Sequence, residues 1–175
     1  MTKSESNMKT RIHKYRDSDR AACLALSREL AQHHADIYGD PAIAGGDSVK
    51  WFEGLFNRDG YVGIWIAEID GQAAGFAGLL SHGEEGEIEP VVVASAFRDK
   101  GIGTRLVRYL VAEARKSKVR FLSIRPVARN KEALALFVRL GFNLVGHVEL
   151  FQDLSETSAR KWKPGLVIHR EKLRY

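Results

Sequence analysis

Two carboxylates and two glycines give this chain its first chemical reading. Glu87 and Glu89 stand two residues apart in the apolar stretch Glu87-Ile88-Glu89-Pro90-Val91-Val92-Val93-Ala94. On a β-strand that spacing puts both on one face, together with Val91 and Val93. A β-bulge would break the parity only further along, unless it fell between the two glutamates. Like charges this close raise the pKa of one carboxyl, which suits a general base; the alternative is a pair of solvated strand residues. Downstream, Arg98-Asp99-Lys100-Gly101-Ile102-Gly103-Thr104 leads into a helical pattern. A helix N-terminus offers free N–H groups and the positive end of the macrodipole, and glycine lets backbone approach a ligand. The segment reads as a cradle for phosphate or pyrophosphate, the alternative being a tight strand-to-helix turn.

Other chemistries find less support. The chain has no GxxxxGK[ST] loop and no GxGxxG turn. His33 and His34 are adjacent and so diverge on a helix, the other histidines are scattered, and no Cys/His cluster has metal-ligand spacing, so no metal is expected. Cys23 reads as a small buried apolar residue. Ser81-His82 and Ser95 lack the surroundings of a nucleophile elbow.

The elements that must position these residues follow from periodicity. Residues 10–15 form a short strand, and Asp17, Ser18 or Asp19 caps a helix carrying Ala22, Leu26, Leu30 and Ala31 as far as about His34. Residues 35–47, with Gly39, Pro41, Gly45 and Gly46, read as a loop, and Asp47 or Ser48 caps a shorter helix to about Phe56. Strands are expected at 61–69, 72–81 and 87–94, the first two joined by the hairpin turn Asp70-Gly71. Ile102, Leu106, Leu110 and Ala114 make one helical stripe, joined by Val107 and Val111. A buried strand at 119–125 follows, then a helix over 131–140 that stops at Gly141, and strands at 142–151 and 166–172 around a polar loop. The order is β-α-α-β-β-β-α-β-α-β-β, an α/β (α+β) architecture in one domain over 10–175, with residues 1–9 a disordered tail. The strand–helix–strand unit from Glu87 to Arg125 favours a right-handed parallel crossover.

Arg98-x-x-Gly101-x-Gly103, with Val93 five residues ahead of Arg98, resembles the acetyl-CoA signature of the GNAT superfamily. Asn130-x-x-Ala133-x-x-Leu136-Phe137-x-x-x-Gly141-Phe142 is similar to that family's second cofactor motif, and the element order matches from Thr10 to about Lys172. The resemblance implies a mixed, mostly antiparallel sheet of about seven strands with helices on both faces. It also implies acetyl transfer from acetyl-CoA to a primary amine of a small molecule or peptide. The backbone at Val91 and Val93 would pair with the pantetheine amides like an added strand. Backbone N–H groups of Arg98, Asp99, Lys100, Gly101, Ile102, Gly103 and Thr104 would hold the pyrophosphate. Asn130 would bond the pantetheine arm, with Ala133 and Phe137 packing along it.

An alkyl ammonium has a pKa of about 10.4, so acyl transfer at neutral pH needs a base or a desolvating pocket. Glu87, six residues before Val93, occupies the place of the general base in the histone-acetylating members of the family, and Glu89 lies nearer the thioester; the resemblance favours Glu87. Phe137 departs from the family, which commonly has a tyrosine there to protonate the leaving thiolate. A thiolate is a tolerable leaving group, with a thiol pKa of about 8.5, so the cofactor site survives the change. It also admits a second reading, a GNAT-fold acetyl-CoA sensor with weak catalysis. For the acceptor, the resemblance points to residues 32–51 and 152–164. His33, His34, Asp36, Tyr38, Asp40 and Asp47 would suit a cationic amine such as a polyamine, an aminoglycoside or an amino-acid derivative, or form an ordinary polar loop.

Composition bounds the rest. The 175 residues are 45% hydrophobic and 28% charged, within the ordinary range for a globular domain. No apolar run spans a membrane, the start MTKSESNMKTRIHKYR lacks a secretory h-region, and the single cysteine suits a reducing compartment, so a cytoplasmic location is expected. The net charge of +5 invites an anionic partner, but the basic residues are dispersed without aromatic interleaving, so nucleic acid is not the expected one. Homodimerisation is left open.

Overall fold

The structure, a computed structural model, describes residues 10–154, 162–168 and 171–174. The tail 1–9 and most of the polar loop before the last strands lie outside the described residues. The chain groups into two compact units, one of Met1–Leu30 with Asp47–Arg125 and the other of Ala31–Gly46 with Pro126–Tyr175.

The first unit is built on a five-stranded sheet. Strands β1 (Thr10–Lys14), β2 (Tyr61–Ile69), β3 (Gln72–His82), β4 (Glu85–Val93) and β5 (Phe121–Ile124) stand in sequence order. All neighbours are antiparallel except β4 and β5, which run parallel through helix α3 (Ile102–Lys116), as a strand–helix–strand crossover requires. The hairpin turn sits at Asp70-Gly71, with φ of 49° and 83°, the left-handed pair that an Asp-Gly turn supplies.

Helices cover both faces of the sheet. Cys23, Leu24 and Leu26 of helix α1 (Arg20–Tyr38), with Phe52 of α2 (Ser48–Gly54) and the adjoining Leu55, pack on Ile64, Ile66, Phe76 and Val92. Asp47 caps α2 as expected, its carboxylate accepting from Val49 and Lys50 N–H. Ile102, Leu106, Val107, Leu110 and Ala114 of α3 are all buried, the stripe that the 3.6-residue period selects. Cys23 is fully buried, and burial, with Asp19 adding to it, pushes its thiol up to about 12, so it is a core residue without nucleophilic use.

Four expectations need correction. Helix α1 continues past His34 to Tyr38, because Ala35 extends the buried stripe and the stop is Gly39 at a φ of 63°. Strand β5 is shorter than 119–125 and half-exposed, with Phe121 at 64%, because it ends the sheet order and pairs only with β4 among the described residues. Residues 142–151 alternate like a strand but form none, and Leu144, Val145, Leu150 and Phe151 lie exposed. Sequence propensity makes a strand only where a neighbouring ladder accepts it. Residues 166–168 instead belong to β6 (Pro164–Ile168) and residues 171–172 to β7 (Glu171–Arg174), antiparallel partners in a separate two-stranded sheet, while 169–170 lie outside the described residues; the seven strands among the described residues divide five and two. In the second unit, helix α4 (Lys131–Arg139) ends at Leu140 before Gly141, whose φ is 99°.

One irregularity controls the middle of the first sheet. Ala77 pairs with Val91 but Leu79 with Ile88, so β4 spends three residues where β3 spends two. Gly78 lies opposite this bulge, and a Cβ there would press into the carbonyl oxygen of Glu89. Gly75 is equally tight, against the carbonyl of Val92. Backbone cannot yield as a flexible side chain does, so Gly78→Ala is expected to destabilise the fold by about 2 kcal/mol. Gly54→Ala, at a helical φ of −61° with nothing within 4 Å, is expected to be neutral or mildly stabilising. Denaturant unfolding of the two variants checks this; equal midpoints would contradict it.

Candidate active site

The bulge falls between Ile88 and Val91 and corrects one expectation about the site. Because Val91 and Ile88 both pair with residues of one β3 face, Val91 and Val93 leave the face of Glu87. The backbone carries the consequence. Ala94 N–H donates to Ala74 C=O on β3 at 2.9 Å. Peptide groups alternate sides along a strand, so those of Val91 and Val93 point away from β3. On that far side β5 pairs with β4 only from Glu85 to Ile88. Val91 and Val93 therefore present a strand edge with no ladder partner among the described residues.

The glutamates lie at the closed end of this edge. Glu87 is 7% exposed; its Oε2 meets Arg125 Nη2 at 3.0 Å, while its Oε1 is buried without a hydrogen-bond partner among the described residues. Glu89 is half-exposed and pairs with Arg58 Nη1 at 2.6 Å. Burial, followed by the neighbouring Glu89 carboxylate, raises the Glu87 pKa above the ordinary carboxylate value; Arg125 and Arg58 oppose the shift without reversing it. The two carboxylates are thus brought together as expected. Their arginine partners were not foreseen, since pairs 31 and 38 residues apart (58 to 89 and 87 to 125) leave no local pattern.

The loop after β4 begins with a 3-10 turn, Ser95–Phe97, pinned by the Glu29 carboxylate of α1, which accepts from Ser95 N–H. Phe97 N–H and Arg98 N–H are taken up within the turn by Ala94 and Ser95 carbonyls. Asp99 and Gly101 then adopt left-handed φ of 59° and 76°, and Lys100 lies over the Phe97 ring at 5.1 Å. Gly101 is the N-cap of α3 and has no side-chain capping bond. The first-turn N–H groups of Ile102, Gly103 and Thr104 thus lack the side-chain acceptor that usually covers them. The Ile102 side chain is core, 1% exposed, so only its backbone is available to a ligand.

In the second unit, Asn130 is the N-cap of α4, its Oδ1 accepting from Ala133 N–H at 3.0 Å; the amide N–H₂ is left to donate. Phe137 is 6% exposed and meets Phe142 edge-on, ring centroids 6.4 Å apart. Arg129 was overlooked by the sequence reading. It is buried, donates from Nη1 to Tyr38 C=O at 3.0 Å and stacks its guanidinium on the Tyr38 ring at 4.6 Å. Of the residues expected to face an acceptor, Asp40 caps the turn Pro41–Ile43 and Asp36 accepts from Gln32, which favours a structural reading of both. Among the described residues, no group of three His, Cys, Asp or Glu side chains is placed to hold a metal ion, and no helix is long and apolar enough to cross a membrane.

Because its folded pKa is raised, Glu87 lowers stability as pH rises from the ordinary carboxylate value through the raised one. Glu87→Gln removes that pH dependence. The melting-temperature difference, variant minus wild type, should grow more positive as pH rises across this window; a constant or falling difference contradicts the assignment.

Comparison with known proteins gives a consistent answer. The acetyltransferase (GNAT) family model matches residues 27–142. The chain is 34% identical over 140 residues to N-alpha-acetyltransferase RimI of Mycobacterium tuberculosis, covering 74% of this chain and 83% of that protein. Among solved structures, ribosomal-protein-alanine N-acetyltransferase from Brucella melitensis superposes with a TM-score of 0.65 at 17% identity, covering 82% of this chain and 99% of that one. Aminoglycoside N-acetyltransferase AAC(6')-Iy in complex with CoA gives 0.64 at 18%, covering 86% and 99%.

Proposed function

The chain belongs to the GNAT acetyltransferase family, and from that premise we propose that it acetylates a primary amine by direct attack on acetyl-CoA, with Glu87 as general base. The observation that carries this reading is the position of Glu87 on β4. A nine-tenths-buried carboxylate with one unpartnered oxygen stands on the strand whose far edge is open at Val91 and Val93.

That edge suits the two pantetheine amides, which would extend the sheet as a strand does. The uncapped start of α3 suits the pyrophosphate, held by N–H groups from Asp99 through Thr104 rather than by side chains; the Arg98 N–H, expected to join them, is already taken by the Ser95 carbonyl. Asn130, through its free amide donor, Ala133 and Phe137 are carried over from the family motif as further contacts to the arm. Glu87 takes a proton from the acceptor ammonium. The neutral amine then attacks the thioester carbonyl; the N–C bond forms, the nitrogen's second proton passes to solvent, the C–S bond breaks and CoA thiolate departs. Phe137 has no proton to give, so solvent protonates the thiolate. Burial, with the neighbouring Glu89 carboxylate adding to it, raises the Glu87 pKa from the ordinary carboxylate value, which makes removal of an ammonium proton more favourable.

Relatives act, by their names, on N-alpha amines and on aminoglycosides, both primary-amine classes. Thiol release from acetyl-CoA, measured against amines, amino acids and peptides, tests the proposal. Turnover is expected to rise with pH through an apparent pKa above the ordinary carboxylate value. Glu87→Gln should lose this limb and on the order of a hundredfold or more in kcat, with acetyl-CoA affinity kept. Wild-type turnover in Glu87→Gln, Glu89→Gln and the double variant would move deprotonation elsewhere, and tight acetyl-CoA binding without turnover on any amine would favour a sensor. Gly103→Val, in a folded variant, should weaken acetyl-CoA binding by calorimetry about tenfold or more, because its bulk obstructs backbone approach; unchanged affinity would remove the loop from the binding site.

A further inference from the structure

We propose that the acceptor is a free α-amino acid, whose carboxylate takes Arg125 away from Glu87 while its amine is delivered to that glutamate. The inference rests on the acetyl-transfer reading above and narrows its substrate class. Four charged groups meet at this end of β4: Glu87 with Arg125, and Glu89 with Arg58. Their sum is zero. A polycation entering here gains two carboxylates but faces two guanidinium groups, whereas a zwitterion leaves the balance intact and pairs at both ends.

The two ion pairs are not equivalent. Arg58 and Glu89 are similarly enclosed, with side-chain exposures of 35% and 37%, and stand 2.6 Å apart. Arg125 is 74% exposed and reaches Glu87 through one nitrogen at 3.0 Å, so most of its guanidinium donors face outward. A planar guanidinium is the side chain best shaped for bidentate capture of a carboxylate, and a monodentate contact to a buried glutamate leaves that capacity unused. Glu87 Oε1, buried beside the Glu89 carboxylate and with no hydrogen-bond donor on it among the described residues, is the acceptor offered to an ammonium N–H. Inserting the zwitterion replaces one ion pair with two. It also removes from Glu87 the cation that most opposes proton uptake, so the base is released when the correct substrate arrives. A backbone carbonyl or an amide at the same place offers Arg125 no charge and leaves it on Glu87.

The test uses the full-length enzyme, acetyl-CoA, the common L-amino acids and their amides, with thiol release as readout and acetyl-CoA affinity measured in parallel. The expected result is a kcat/KM for the preferred amino acid at least about tenfold above that for its amide. Arg125→Gln should bring this ratio towards one, chiefly through a higher KM for the acid, and Arg125→Lys should restore part of it. Amides used as well as or better than acids, or a preference for acids that survives Arg125→Gln, would overturn the proposal. So would turnover confined to polyamines, aminoglycosides or amidated peptides, an outcome that leaves acetyl transfer standing. Acetyl-CoA binding with no turnover on any amine would instead remove the acetyl-transfer reading and this inference with it.

Discussion

Strand β4 fits three residues against two of β3 between Ile88 and Val91, and Gly78 has no side chain to resist the crowding. The proposed donor site depends on this. The bulge separates a lower stretch of β4, paired on both sides, from an upper stretch paired only with β3. It turns Val92 into the core while the peptide groups of Val91 and Val93 face the vacant edge. Without the extra residue, the parity of the strand would put different groups on each side.

Electrostatics then divides the labour along β4. The lower end holds the paired charges, with Glu87 buried deeply enough that its proton is bound more tightly than an ordinary carboxyl's. The upper end runs into a loop shaped by backbone alone, where two left-handed residues and an uncapped helix start leave N–H groups for an anion. On the proposed reading, proton transfer and phosphate binding fall at opposite ends of one strand, with the reacting thioester between them. Glu29 ties the start of this loop to α1 through Ser95 N–H.

Much of this was legible in the sequence because it rests on local rules. The α3 stripe, the Asp70-Gly71 turn, the Asp47 cap and the glycine-bearing loop depend on residues within a few positions of each other. The glutamates were identified as a pair for the same reason. What escaped is non-local. Arg58, Arg125, Glu29 and Arg129 find partners 31 to 91 residues away, and no periodicity announces such pairs. The bulge was foreseen only as an event that would matter, although Gly75 and Gly78 inside a strand were its visible trace. Residues 142–151 show the converse, a strand-like pattern without a ladder.

The claim on which the rest turns is that the open edge of β4 and the start of α3 receive acetyl-CoA. Amide hydrogen exchange, resolved by residue with and without the ligand, tests it most directly. Bound acetyl-CoA should slow exchange at Val91, Val93 and Ile102 to Thr104 by about tenfold or more, while the β1–β2 amides stay as they were. Saturating acetyl-CoA that leaves Val91, Val93 and the first turn of α3 unchanged would contradict it.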